Sequence, residues 1–462
     1  MLFGEHSALN MAAMASESRR RQLIADYHSS LEKIDVKSFA ENLRRDLTDL
    51  EVFYGERMVC PFLRPGFVTH EQIELLSELI SQITGAMQIL VGYIIHDSSL
   101  QDFLGLNEIE KELISFKTGF HCVTTTSRFD TFLNGGQCSF VEFNAESPTG
   151  PGYSDCMSMA FMQRPEFVKF AEKHNVKTFD ISKSLLEALL QSWYEWSKGS
   201  EKPVIAIVDY AGIPTSHEFN ILSRYFQGCG YECLIADPRN LDYDGEKLSY
   251  KGTKIDLIYR RVLTSEFIDE FSKVQNMYRA VKDHKVCVVN SFRTKILHKK
   301  LIFALLTDPK YQDLFTVQQR EAIKSCISWT RRFVPGMTSD PKGKDVDLYK
   351  FVKENKDDLV LKPNDSYGGR GIVFGWESTD EQWEEAMQKC SSADYLVQTR
   401  IYQSRELFPL WSEEKGLEWG EFHVDFDPYA FNFKMSGATG RLSKSALCNV
   451  TSGGGSIPCM MV

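Results

Sequence analysis

The sequence has no C-x-x-C pair: its 11 cysteines are odd in number and scattered, the closest spacing being Cys229 to Cys233. That usage excludes a disulfide framework and a cysteine zinc site, and it fits reduced cytosol, so a cytoplasmic location is expected. The ten histidines are equally dispersed and none pairs with Cys or Glu at metalloenzyme spacing, which excludes a zinc hydrolase. No apolar run approaches the roughly 20 residues of a bilayer span, so no membrane partner is expected. The first 20 residues lack a basic stretch followed by an apolar core, which disfavours secretion; they are expected to be disordered, or to precede a natural start at Met11 or Met14. Positive charge is in deficit, with 53 Lys and Arg against 63 Asp and Glu, a net −10. Nucleic acid is therefore not an expected partner, and any anionic ligand must be held by local cations.

What is present is an ordinary globular composition: 462 residues, 43% hydrophobic, enough for a sizeable core divided among two to four structural units. Residues 1–115 read as a helical accessory region, with 3.6-residue periodicity clearest from Glu71 to Ile95. Residues 116–200 carry strands around Thr124 to Asn144, broken by Asn134-Gly135-Gly136, and then a helix from Ile181 to Trp196. Residues 201–290 alternate strand (Val204 to Asp209), helix (Glu218 to Gln227) and strand (Cys233 to Asp237). A hairpin, a strand (Ile255 to Arg260), a helical segment and a last strand (Val286 to Asn290) follow, as expected of a small α/β unit with parallel strands. Residues 291–462 mix helices and strands around two glycine clusters, Gly368 to Gly371 and Gly453 to Gly455, and no internal repeat is visible.

The most informative segment is Ser127-Arg128-Phe129-Asp130 followed by Val141-Glu142-Phe143-Asn144. A hairpin closed by Gly135 to Gln137 as a three-residue loop sets Asp130 opposite Glu142 and Arg128 opposite Asn144, all four on one face. Two carboxylates facing each other across a ladder repel, and a bound cation would remove the conflict. Ligands from Asp, Glu and Asn with no sulfur or imidazole suit Mg²⁺, or Mn²⁺, completed by phosphate oxygens. Arg128 beside such a metal could steady charge on a transferring phosphoryl group. The alternative is an exposed hairpin on which Arg128 pairs with Asp130 or Glu142.

Three further segments carry phosphate chemistry. Asp358 to Pro363 is a short strand ending in Lys362, followed by a loop containing Gly368-Gly369-Arg370-Gly371, which offers a point charge and backbone N–H donors; it is not a Walker A loop. Leu297 to Phe303 reads as a helix start carrying Lys299 and Lys300, either of which could be a second phosphate cation. Tyr395 to Ile401 passes from apolar to polar and offers an edge for adenine. Surface turns and a plain core strand are the bland readings of these pieces. The segment from Cys448 to Thr451 reads as strand, and with the glycines beyond it an ordered C-terminal end near the site is expected.

Together these motifs resemble the circularly permuted ATP-grasp family, that of the glutathionylspermidine synthetase-like carboxylate-amine ligases. There an R-x-D strand, an E-x-N strand and a small-residue Pro-Thr step precede an α/β unit, a helix-opening lysine, a Lys-Pro strand, a glycine loop and a glutamine-bearing hinge strand. Here the order is Arg128 and Asp130, Glu142 and Asn144, Ser147-Pro148-Thr149, residues 201–290, Lys300 or Lys299, Lys362-Pro363, Gly368 to Gly371 and Gln398. The resemblance implies a mixed α+β and α/β architecture: a circularly permuted ATP-grasp fold with a pre-ATP-grasp α/β unit and an N-terminal helical region. It implies ATP and Mg²⁺ as cofactors and carboxylate and amine substrates, small molecules or peptides, joined through an acyl phosphate. Asp130, Glu142 and Asn144 would be metal ligands and Arg128 catalytic. Lys300, Lys362, Gly369, Arg370, Gly371, Val397, Gln398 and Thr399 would bind the nucleotide, and Arg261 and Arg441 the substrates. A phosphotransferase, or a nucleotide-binding regulatory protein without turnover, are the rival readings. No amidase domain and no recognisable glutathione or spermidine pocket is present, so the family's substrates do not transfer.

Overall fold

The computed structural model describes residues 3–135, 137–446, 448 and 454–462, and side chains from residue 8 onward. The N-terminus departs from the expected disorder: Phe3–Leu31 is one helix. It has almost no amphipathic periodicity averaged over its length, so hydrophobic pattern did not mark its first turns. It is docked by apolar and polar contacts together: Ala13, Tyr27 and Leu31 are buried, with Tyr27 against Phe67, Phe167 and Phe170. Ser16 Oγ lies 2.7 Å from Thr69 Oγ1, and Arg20 pairs with Glu17 at 2.8 Å and with Glu406 at 2.6 Å. Arg64, wholly buried, shares Glu406 at 2.8 Å.

The helix His70–Ile94 begins at a reciprocal cap, with Thr69 and Gln72 each bonding the other's backbone N–H. It is long and apolar enough to cross a membrane by length and composition, which a search for unbroken apolar runs overlooks. Leu75, Leu76, Leu79, Ile80, Ile83, Met87, Leu90 and Ile94 are buried in the largest core, together with Phe129, Phe140 and Phe143 of the acidic hairpin.

Three sheets position the cavity. The largest runs Gly66–Val68, Gly455–Met461, Lys434–Ser443, Gly416–Phe431, Thr126–Asn134, Gln137–Asn144, with Arg405–Ser412 added beside Gly416–Phe431. All pairs in it are antiparallel except Gly66–Val68 with Gly455–Met461. A four-stranded parallel sheet, in the order Cys287–Val289, Leu257–Arg260, Ile205–Val208, Cys233–Ala236, forms the expected α/β unit, each strand a residue or two shorter than its apolar run. A four-stranded antiparallel sheet holds Thr330–Arg332, Tyr395–Thr399, Leu359–Pro363 and Val373–Phe374.

Asn290, fully buried at the end of the parallel sheet, joins it to the large one. Its Oδ1 accepts from Thr125 N and Thr126 N, and its Nδ2 donates to Thr126 O at 2.6 Å and Ala145 O at 2.8 Å. A buried carboxamide with both ends satisfied fixes the hairpin's root without an energetic penalty for unpaired groups.

The docking of the first helix is testable through Glu406. Replacing it with alanine leaves Arg64 buried without its carboxylate, and an uncompensated buried charge costs about 3–5 kcal/mol. Glu406→Ala should therefore lower the urea midpoint markedly, whereas Arg21→Ala, at an exposed pair, should shift it by less than about 1 kcal/mol.

Candidate active site

The acidic hairpin folds with the expected pairs at its root and a different loop. Arg128 faces Asn144 and Asp130 faces Glu142, but Thr131 faces Phe140 and Asn134 faces Gln137. The connection is thus two residues, and Val141, which has no partner, forms a bulge that restores the register. Alternation buries Phe129 and Phe143, with ring centroids 4.4 Å apart, and turns Arg128, Asp130, Glu142 and Asn144 toward a cavity of about 580 Å³.

The repulsion expected between Asp130 and Glu142 is relieved by the protein's own groups. Asp130 accepts from Arg128 at 3.0 Å, from Arg441 at 2.7 Å and from Asn144 Nδ2 at 2.8 Å, while Glu142 pairs with Lys300 at 2.9 Å. Burial raises the Asp130 carboxyl, but Arg441 and Arg128 outweigh it and hold the group below its usual range. The juxtaposition therefore does not by itself demand a metal. Among the described residues no three His, Cys, Asp or Glu side chains form a ready cage. The donor set of two carboxylates and a carboxamide, all lining one cavity, still fits a hard cation completed by phosphate and water oxygens.

Two acids absent from the sequence reading lie behind Asp130. Asp425 and Asp427 alternate along Gly416–Phe431 on the face that carries Arg441 opposite Asp425. Arg441 pairs with Asp425, and its Nε lies 2.6 Å from Asp427 Oδ2. Burial raises both carboxyls, Asp427 far above the usual range, despite the Arg441 guanidinium. The available signal was the run Val424-Asp425-Phe426-Asp427, two carboxylates at strand spacing inside an apolar segment. Arg441 is thus occupied by three carboxylates.

On the opposite wall, Lys362 of Leu359–Pro363 donates to Gln398 Oε1 at 2.7 Å, and Gln398 Nε2 donates to Thr330 Oγ1 at 3.0 Å. The Gln398 side chain is spent positioning the lysine. Lys362, Gly369, Arg370, Gln398 and Thr399 line the cavity. Val397 does not: its side chain is buried in the core of the antiparallel sheet with Leu361 and Trp383. Lys300 faces a small adjoining void shared with Glu142, Lys362 and Gln398, and its ammonium also donates to Ser366 O. Lys299 points elsewhere, to Asp365 at 2.8 Å and Glu110 at 3.3 Å. These lysines sit between the short helices Lys295–His298 and Ile302–Thr307, in place of the single helix start expected.

The glycine loop follows Lys362. Gly368, Gly369 and Gly371 take positive φ, and at Gly371 a Cβ would come within 2.8 Å of Tyr395 Oη and 2.9 Å of Pro363 Cγ, so only glycine fits. Tyr367 at the loop's tip donates to Glu266 Oε1 at 3.3 Å across the cavity.

Arg261, beyond Leu257–Arg260, also lines the cavity, but its guanidinium is engaged by Pro148 O at 2.6 Å, Tyr259 Oη and Thr149 Oγ1 at 2.9 Å, and Glu218 at 3.4 Å. Asp209 and His298, both missed in the sequence, complete the lining; burial pushes Asp209 up to about 7 and His298 down to about 4. Of the C-terminal segment, Asn449 to Gly453 lie outside the described residues; Ser456, in the strand Gly455–Met461, lines the cavity with Ala446 and Cys448.

A scan against protein-family models and a search of curated proteins give no match. Among solved structures, the chain is similar to a glutathione synthetase-like effector from Globodera pallida in apo form, with a TM-score of 0.57 and 12% identity over 92% of this chain and 96% of that one. Partial overlaps occur with a carboxyaminoimidazole ribonucleotide synthase from Aspergillus clavatus complexed with ATP, at TM-score 0.25, 11% identity, 52% of this chain and 57% of that one. A D-alanyl-alanine synthetase A from Vibrio cholerae overlaps at TM-score 0.27, 11% identity, 54% of this chain and 69% of that one. The chain therefore has a mixed α/β fold similar to the glutathione synthetase-like fold, a likeness that rests on the first of these.

Burial lowers the Lys362 ammonium to about 8, partly countered by Glu142. A lysine whose folded pKa is depressed carries its charge only below that value. Affinity for a polyphosphate should thus fall as pH rises through about 8, by up to about tenfold per unit. Lys362→Met should flatten the profile; titration calorimetry with ATP and Mg²⁺ from about pH 7 to about pH 9 measures both.

Proposed function

We propose that the protein is an ATP- and magnesium-dependent ligase that joins a carboxylate to an amine through an acyl phosphate, on a permuted ATP-grasp arrangement. The observation that carries this reading is the convergence, on one cavity, of the Asp130, Glu142 and Asn144 oxygens with Lys362 and the glycine loop, Lys300 standing directly behind Glu142.

In this reading Lys362 and Lys300 hold the nucleotide phosphates, and the backbone of Gly369 to Gly371 covers them. The apolar stretch of the same wall, Val360, Ile372, Phe374, Trp376 and Ile401 beside Thr399, suits the adenine ring. Magnesium, held by Asp130, Glu142 and Asn144, would neutralise the terminal phosphates. Phosphates arriving at Lys300 would release Glu142 from its ion pair, so that both partners of the resting pair find new ones. Arg128, anchored by Thr149 O at 3.0 Å, is placed to steady the transferred phosphoryl group. A substrate carboxylate oxygen then attacks the γ-phosphorus, the bond to the β-phosphate oxygen breaks and ADP departs. The amine nitrogen next attacks the acyl carbon and inorganic phosphate leaves. The bond from Tyr367 to Glu266 supports a loop that covers the cavity and would keep water from the acyl phosphate.

Calorimetry of the full chain with ATP, with and without Mg²⁺, tests the reading. Magnesium-dependent binding that Asp130→Asn/Glu142→Gln weakens at least tenfold is expected. Binding indifferent to magnesium and to both substitutions would sink the metal assignment. Product analysis of the turnover mixture then separates an amide from a phosphate ester.

A further inference from the structure

The N-terminal region reaches the cavity through a two-stranded turn, Phe53–Tyr54 paired with Arg57–Met58. The turn is fastened on three sides. Gly55 N donates to Pro214 O at 2.9 Å, Tyr153 Oη donates to Phe53 O at 2.6 Å, and Ser456 N donates to Val59 O at 2.8 Å. These bonds set Tyr54 and Val59 beside Ile213 and Pro214 of the loop after Ile205–Val208, and beside Tyr153 and Met157 of the helix Pro151–Met162; all six line the cavity. Apolar side chains make up most of this end.

Two carboxylates face it. Asp209 and Glu266 are the carboxylates there, held near each other by Tyr210, whose N–H donates to Asp209 Oδ1 at 2.8 Å and whose hydroxyl donates to Glu266 O at 3.1 Å. Arg261, the cation whose charge reaches Asp209, is already satisfied by Glu218, Thr149, Tyr259 and Pro148, so it offers little to a ligand carboxylate. A free α-amino acid bound here would set its carboxylate against Asp209 without a counter-charge. An ammonium group on an apolar body meets no such conflict: its charge answers Asp209 and Glu266, and its body covers Tyr54, Met157 and Ile213.

We propose that this end of the cavity is the acceptor pocket, and that the N-terminal turn makes it selective for primary amines with an apolar body and no adjacent carboxylate. The word acceptor rests on the ligase reading; the preference for an apolar ammonium rests on the pocket alone. Burial that raises Asp209 toward neutrality is consistent with a site completed by a cation.

Calorimetry on the full chain with three probes, phenethylamine, ethanolamine and 3-phenylpropionate, tests the assignment, with and without Mg²⁺ and a non-hydrolysable ATP analogue. Phenethylamine should bind at least tenfold more tightly than either other probe. Tyr54→Ala should remove at least fivefold of that affinity while leaving the nucleotide affinity unchanged, and Asp209→Asn should abolish the preference for the amine over 3-phenylpropionate. Tyr54→Phe, which preserves the ring, should bind as the parent does and guards against misfolding as the cause. Equal affinity for the three probes, or a preference for 3-phenylpropionate, would overturn the pocket assignment even with tight Mg²⁺-dependent nucleotide binding. Amine selectivity without any nucleotide binding would support the pocket and instead count against the ligase reading.

Discussion

Glu146 has no access to solvent, and four residues from three parts of the chain meet on its carboxylate. Arg260 of the parallel sheet approaches it at 3.3 Å, Thr264 of the following helix donates to it, and Lys295 and His298 of the lysine segment stand within 4.0 Å. Lys295 passes the connection on to Asp365 at 2.7 Å, three residues beyond Lys362, and Lys299 joins Asp365 to Glu110 of the helical region. Burying so many charges costs several kcal/mol per ion unless each finds a partner at close range. Burial works against Glu146, yet Lys295 and Arg260 hold its carboxyl at about 2, well inside the ionised range. Such a network is weak evidence for stability, but its paired charges tie the three parts to one another. The acidic hairpin, the lysines and the root of the glycine loop are consequently fixed relative to one another before any ligand arrives.

The cavity continues this logic at lower density. Asp130 is matched by Arg128 and Arg441, Glu142 by Lys300, Lys362 by the Gln398 dipole. A pair of unit charges at 4 Å is worth roughly 4 kcal/mol at an effective dielectric near 20, so breaking one of these pairs to bind a single ion is expensive. Exchanging both members at once, an anion for the lysine and a cation for the carboxylate, is not. Resting charge neutrality therefore favours a ligand that brings both signs. It also explains why cross-strand repulsion, sound as a sequence argument, overstated the need for a metal: the relief comes from Arg441, 311 residues after Asp130 and facing it only because Gly416–Phe431 and Lys434–Ser443 lie in the same sheet.

Local pattern made much of this visible. The face shared by Arg128, Asp130, Glu142 and Asn144 follows from alternation along two strands, and the parallel sheet from apolar runs separated by helices. The hairpin's root was legible while its turn was not, because a bulge at Val141 changes the count without changing the faces at Asp130. Asp425 and Asp427 were missed since a D-x-D on a strand gains meaning only from what lies across the sheet. Val397 was drawn toward the nucleotide by its neighbours, but adjacent strand residues point to opposite sides, and its side is the core. The first helix lies in the region read as helical, but its earliest turns were expected to be disordered, because the apolar residues that dock it, Ala13, Tyr27 and Leu31, are sparse and share their face with Ser16 and Arg20.

Sequence reasoning left the helical region without a task, and its placement supplies one. Its long helix forms part of the core beneath the hairpin, Glu110 anchors Lys299, and Tyr54 and Val59 enter the cavity. The wall of cations and glycines is built from residues whose types are set by their own contacts, Lys362 on Gln398 and Gly371 against Tyr395 and Pro363, so substitution there is narrowly constrained. The opposite wall is built from a short turn whose backbone is fixed by bonds to Pro214 O and from Tyr153, leaving the Tyr54 side chain free of any hydrogen-bonding duty in the fold. A backbone held independently of its side chain lets that side chain change without moving the scaffold. An architecture divided in this way can keep one wall of its cavity constant while the other varies.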